Sequence, residues 1–238
     1  MDSRKEAILD AIVREYTETG TPVGSLVLTH KYNFPYSPAT IRAEMAELER
    51  LGYLTHPHTS AGRIPTEWGY RYFVNMVKEE QALLAPESIV AKKRISSMHD
   101  RYERKLETAS QVLSDLTASI AFAGFPGEIF SHGLGNLFSQ PEFLEPGRVI
   151  KAAEIIDNLE RLVDELPADF DTQIYIGSES PIGKSAGCSM VISQFRTPFG
   201  APGYLGIVGP MRMSYPRALS AIKEVRKVLE EKHVRKED

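Results

Sequence analysis

The residues best suited to chemistry lie in one short run, Ser37-Pro38-Ala39-Thr40-Ile41-Arg42-Ala43. Ser37 ahead of Pro38 is a helix start signal. The hydroxyl accepts from an otherwise free backbone N–H, and the proline ring presets φ for the first turn. Free N–H groups at such a terminus, with the Ser37 and Thr40 hydroxyls, suit the oxygens of a phosphate. Arg42, about one turn in, can pair bidentately with guanine, worth roughly 1–3 kcal/mol of discrimination. A second run, His56-Pro57-His58-Thr59-Ser60-Ala61-Gly62-Arg63, is rich in small, hydroxyl-bearing and turn-forming residues. Its Thr59, Ser60 and Arg63, with His58 beside them, suit contact with a minor groove or its flanking phosphates. No Cys, Asp or third His stands near the two histidines at ligand spacing, so no metal is expected there, and no cofactor.

The elements that must position these residues are legible around them. Ile8, Ala11, Ile12 and Tyr16 fall at helical spacing, and Gly20 ends that helix. Thr21-Pro22 predicts the opening of a second helix with Val23, Leu26, Val27 and His30 on its face, stopped by Asn33-Phe34-Pro35. Ile41, Met45, Leu48 and Leu51 form the apolar face of a third, with Gly52 as its stop. This is helix-turn-helix spacing, in which the second helix of the pair enters the major groove and its N-terminal residues face the bases. Tyr53-Leu54-Thr55 then reads as a strand, Ser60-Ala61-Gly62-Arg63 as a turn, and Ile64-Pro65-Thr66 as the return, with Thr66 capping a fourth helix. A hairpin in that place is the wing of a winged helix.

Residues 81–126 read as a long connecting helix, from about Pro86 to Ala123, after a first domain over 1–80. Tyr102, Leu106, Ala109, Leu113, Leu116 and Ile120 alternate steps of four and three, a heptad seam over about three heptads. The seam has two readings: a face packed on the following domain, or a coiled-coil contact between two copies through Tyr102, Leu106, Leu113, Leu116 and Ile120. Residues 127–238 read as an α+β domain. Pro146 to Leu166 is a helix with Val149, Ala153, Ile156, Leu159 and Val163 inward. Thr172–Ile176, Ser189–Phe195 and Tyr204–Val208 are strands, and Pro216 to Lys232 is a last helix. Gly206, Gly209 and Pro210 read as the end of a strand turning into that helix. The fold class is α+β throughout.

Composition bounds the function. Hydrophobic residues at 42% and charged residues at 25% are ordinary for a globular chain. A net charge of −4 argues against non-specific coating of nucleic acid. The first eighty residues hold 9 Lys and Arg against 11 Asp and Glu, so DNA binding must rest on where charges sit. No apolar run is long enough to span a membrane and the charged N-terminus lacks a signal core, so the expected location is the cytoplasm. Cys188 lies in a strand-like run and reads as a packed thiol. Gly183-Lys184-Ser185 lacks the upstream glycine of a phosphate-binding loop, and Ser178-Glu179-Ser180 is no nucleophile elbow, so the chain is not expected to be an enzyme. An alternative to DNA binding is a ligand- or partner-sensing module whose winged helix serves protein contact. It would bind DNA without a steep salt dependence.

Taken together, the runs Gly20-Thr21-Pro22-Val23-Gly24-Ser25, Ser37 to Arg42, Pro57 to Thr66 and Gly69-Tyr70-Arg71-Tyr72 closely resemble the heat-inducible transcription repressor family, HrcA. So do Gly133-Leu134-Gly135-Asn136-Leu137, Gln140-Pro141-Glu142-Phe143 and Gly209 to Tyr215. The resemblance implies a winged-helix domain, a GAF-like domain and repression of chaperone operons, with dimers on an inverted-repeat operator and the chaperonin as the partner that keeps the repressor active. Two departures stand out. Only about ten residues separate Ala123 from Gly133, where members carry further strands and a dimerising insertion. The GAF-like domain is therefore expected to be reduced, with the 102–120 seam as a substitute contact. Position 43 is Ala where members usually have Asn, so a base-reading amide is replaced by a methyl that can meet thymine.

Overall fold

The computed structural model describes residues 1–57, 62–77, 85–96, 102–143, 146–167, 169–180 and 187–231. They fall into two compact units, Met1–Lys78 with Met211–Ser214, and Glu79–Pro210 with Tyr215–Asp238.

In the first unit, α1 (Ser3–Thr19) is capped by Asp2, whose side chain accepts from Lys5 N, and closes on Gly20 at φ 65°. Its buried face is Ile8, Leu9, Ala11, Ile12 and Val13. The second helix begins later than Thr21-Pro22 predicts. Val23 exchanges two 2.9 Å backbone hydrogen bonds with Arg63, which demands extended backbone, so α2 runs from Ser25 to Lys31 behind Gly24. The later start rotates the face: Leu28 is buried, while Leu26 and Val27 are exposed. Helix α3 (Pro38–Arg50) buries Ile41, Met45 and Leu48. Two-residue strands β1 (Leu54–Thr55) and β2 (Ile64–Pro65) pair antiparallel, and Thr66 caps α4 (Glu67–Met76), its hydroxyl accepting from Gly69 N. Three helices and this hairpin make a winged helix-turn-helix.

The second unit carries the larger correction. In place of one long helix there are two, α5 (Ala85–Ser96) and α6 (Tyr102–Thr117). Arg94 pairs with Asp115 at 2.8 Å, whereas in a continuous helix a rise of 1.5 Å per residue would hold them roughly 30 Å apart. Helix α6 stops at Thr117, because Ala118 takes a positive φ of 48° and the chain enters β3 (Ile120–Phe125). β3 turns tightly into β4 (Glu128–His132), so the nine residues between Ala123 and Gly133 complete a hairpin. With β5 (Thr172–Ile176), β6 (Cys188–Arg196) and β7 (Pro202–Pro210) they form one antiparallel sheet in the order β4-β3-β7-β6-β5. Gly206 lies mid-strand in β7, opposite Phe122, and does not end a strand. A Cβ there would sit 2.4 Å from the Phe122 ring, so the missing side chain admits the aromatic one.

Both sheet faces are covered. Ile120, Phe122, Met190, Ile192 and Val208 pack with Leu159, Leu162 and Val163 in one core, Cys188 buried among them. The alternate residues Ala121, Val191, Leu205 and Ile207 are buried on the face against which α6 and α10 (Tyr215–Glu230) pack. The expected helix over 146–166 divides at Asn158 into α8 (Pro146–Asp157) and α9 (Leu159–Glu165). The Gly133-Asn136 motif finds a structural role here. Starting α7 (Leu134–Phe138), it brings Asn136 Nδ2 to within 3.0 Å of Ser114 Oγ, which itself donates to the Ser119 carbonyl at 2.8 Å. An antiparallel sheet between helical layers makes this a GAF-like α+β unit.

Candidate nucleic-acid interface

The start of α3 is built as its residue types require. Ser37 Oγ accepts from Thr40 N at 3.1 Å and lies 2.9 Å from Thr40 Oγ1. Two hydroxyls sharing one hydrogen bond leave one O–H to donate outward. Ser37, Arg42 and Ala43 are exposed, and Pro38 and Thr40 half-buried. The apolar face turns inward, so the exposed face offers Arg42 and Ala43 together.

Charge in this unit is mostly spent internally. Glu44 takes Arg4 at 3.2 Å and Lys5 at 3.1 Å, and Arg4 also lies over the Tyr36 ring at 4.6 Å. Lys31 reaches Glu15 at 2.6 Å and Glu18 at 2.9 Å, and these carboxylates raise its pKa. Burial, and then the Glu15 carboxylate to which it donates, push the Tyr32 hydroxyl up to about 12. Arg50 is paired with Glu47 at 2.6 Å. Such exposed pairs add little stability, but they cancel charge. Arg42 has no hydrogen-bond or ion-pair partner among the described residues, so its guanidinium is exposed and unspent at the mouth of α3.

The wing is different. His58, Thr59 and Ser60 lie outside the described residues. Arg63 is not free: its Nη2 pairs with Glu49 at 2.8 Å, and the same carboxylate hydrogen-bonds His56 Nδ1. Gly62 makes this root close, because a Cβ there would fall 2.4 Å from the Val23 carbonyl oxygen. Glu49 and Val23 join the site only through the fold. Their partners are distant along the chain, and no local spacing marks them.

The seam residues belong to the second unit. Leu106, Leu113 and Ile120 are 0–1% exposed within their own unit, and Tyr102 and Leu116 are half-buried. Tyr102 packs edge-on against Phe199 at 5.1 Å. A side chain already enclosed by its own sheet and helices cannot also pack against a second copy. Leu106, Leu113 and Ile120 are thus core residues of their own unit and are not available to a dimer contact, whereas Tyr102 and Leu116 keep part of their surface. Among the described residues no cluster of His, Cys, Asp and Glu could hold a metal, and no helix is long and apolar enough to cross a membrane.

Comparison with known proteins agrees with this architecture. The family model for the HrcA protein C terminal domain matches residues 74–219, more than half of the chain. The heat-inducible transcription repressor HrcA of Chloroflexus aggregans is 26% identical over 341 aligned positions, covering 94% of this chain and 91% of its own. That of Carboxydothermus hydrogenoformans is 27% identical over 333 positions, covering 97% and 98%. That of Desulforudis audaxviator reaches 43% identity over 126 positions, 53% of this chain and 37% of its own. The first two alignments run roughly a hundred positions beyond the 238 residues here, so those relatives carry segments this chain lacks. A crystal structure of a hypothetical protein at 2.2 Å resolution shares the fold, with a TM-score of 0.78 at 18% identity over 97% of this chain and 98% of that one. Domain match and relatives together show that the chain belongs to the heat-inducible transcription repressor HrcA family.

Proposed function

We propose that this protein represses transcription of heat-shock chaperone operons by binding an inverted-repeat operator as a homodimer. Each copy places α3 in a major groove, with its wing over the adjacent minor groove. Ser37, Pro38 and Thr40 hold the helix start against a phosphate, Arg42 reads guanine, and Ala43 meets a thymine methyl. His58, Thr59, Ser60 and Arg63 are the wing's share. The observation that carries this reading is Arg42: exposed, without a hydrogen-bond or ion-pair partner among the described residues, and one turn from the capped start of α3. Two-fold symmetry would set half-sites one helical turn apart, about 34 Å, or a multiple of that. Response to the chaperonin rests on the family resemblance, and a cytoplasmic location is part of the same proposal.

The test is fluorescence anisotropy with an inverted-repeat duplex and a scrambled duplex across a salt series. We expect the intact repeat to bind at least a hundredfold more tightly, with affinity falling steeply as salt rises, about 0.9 log units per log unit of salt for each phosphate neutralised. Equal binding to both duplexes, or binding indifferent to salt, would refute it.

A further inference from the structure

The wing holds itself by very little. Its strands are two residues each, and a hairpin that short has no stability of its own in water. Its direction must therefore come from whatever its two legs are tied to. The backbone supplies part of this: Arg63 exchanges hydrogen bonds with Val23, and Thr66 N donates to the Tyr53 carbonyl at 3.0 Å. Thr66 Oγ1 donates to the Gly52 carbonyl at 2.6 Å, Leu54 and Pro65 are buried beneath the strands, and one carboxylate ties both legs to α3. Glu49, in the last turn of α3, takes Arg63 from the returning leg at 2.8 Å and His56 from the outgoing leg. It bridges both legs, and it belongs to the helix whose other end carries Ser37 and Arg42. The Arg63 Nε is buried with no hydrogen-bond partner among the described residues. The guanidinium is thus drawn in toward Glu49.

We infer that Glu49 is a positioning residue for DNA binding, setting the wing against the recognition helix so that both meet one duplex. The inference rests on the DNA-binding reading above. Under it, Arg63 acts through the clamp as well as by its charge, and the wing's contacts depend on a residue that touches no DNA.

The experiment is a pair of footprints on the intact repeat with the wild-type chain and Glu49→Gln. Dimethyl sulfate reports guanine N7 under α3, and hydroxyl radicals report the flanking minor-groove sugars under the wing. Glu49→Gln should keep the guanine protection, lose the flanking protection, and bind the operator about tenfold more weakly. Retention of both protections, or a parallel loss of both, would overturn the inference. If the wild-type chain shows neither, the DNA-binding reading fails first, and the two failures are thereby told apart. If Glu49→Gln loses its folded circular dichroism signal, His56→Gln replaces it. That change removes one arm of the clamp at the surface. It should weaken the flanking protection selectively, and unchanged flanking protection would count against the clamp.

Discussion

Helices α3 and α6 both repeat apolar residues at steps of three and four: Ile41, Met45 and Leu48 on one, Leu106, Ala109 and Leu113 on the other. They differ in what surrounds the apolar stripe. On α3 the rest of the helix faces outward, with Arg42, Ala43, Ala46 and Arg50 exposed. On α6 even Lys105, Ser110 and Ser114 are buried, because a sheet and two further helices enclose it. Desolvation by burial holds the Lys105 amine below its usual pKa. The difference teaches that apolar periodicity says a helix packs on something, and only the width of the enclosed arc says whether a face is left to bind. An unpaired cation on the open face of α3 can reach a ligand. A cation at an enclosed position of α6, as Lys105 is, carries a desolvation cost.

Three substitutions would break or sharpen that contrast. The largest effect belongs to Leu113→Glu, which places a charge in a core with 0% exposure. We expect a loss of about 3–5 kcal/mol of stability in a denaturant melt. A normal melt combined with dissociation of a dimer in sedimentation would restore the seam as an intermolecular contact. Next comes Arg42→Ala, which should cost roughly 1–3 kcal/mol in operator affinity, relax discrimination at one base pair and leave the salt slope unchanged. Its thermal midpoint should stay with the wild type, since the exposed side chain has no hydrogen bond or ion pair among the described residues to lose. Retained operator affinity would remove α3 from the recognition role. The smallest is Ser37→Ala, which deletes the cap on Thr40 N and should lower stability by about 1 kcal/mol. Operator affinity should fall with it, more steeply at low salt, if the hydroxyl pair also faces a phosphate.

Legibility differed between the units for a physical reason. In the first, Asp2, Ser37 and Thr66 each cap a helix through a hydrogen bond to a backbone N–H three residues on, an interaction a reader of the chain can see. The exception is α2, where Val23 is held extended by Arg63 and the Thr21-Pro22 start signal is overruled. In the second unit, the end of α6 carries no glycine. Ala118 adopts the left-handed conformation, and Ser114 and Asn136 secure the turn by bonds to Ser119 and to each other. Ile120 then continues the heptad count by coincidence of spacing while belonging to a strand. That coincidence concealed both β3 and β4.

The sequence by itself determined the helix caps, the inward face of α3, the exposed start with Arg42 and, through its motifs, the resemblance to the family. Those features depend on neighbours within about four residues, where backbone geometry is set by residue type. Only the tertiary structure decided that Leu106, Leu113 and Ile120 of the heptad seam are core, that Arg63 is spent on Glu49, and that Gly62 and Gly206 exist to admit a backbone and a ring. Each of those outcomes joins residues distant in the chain, and whether such groups meet depends on where the whole fold carries them.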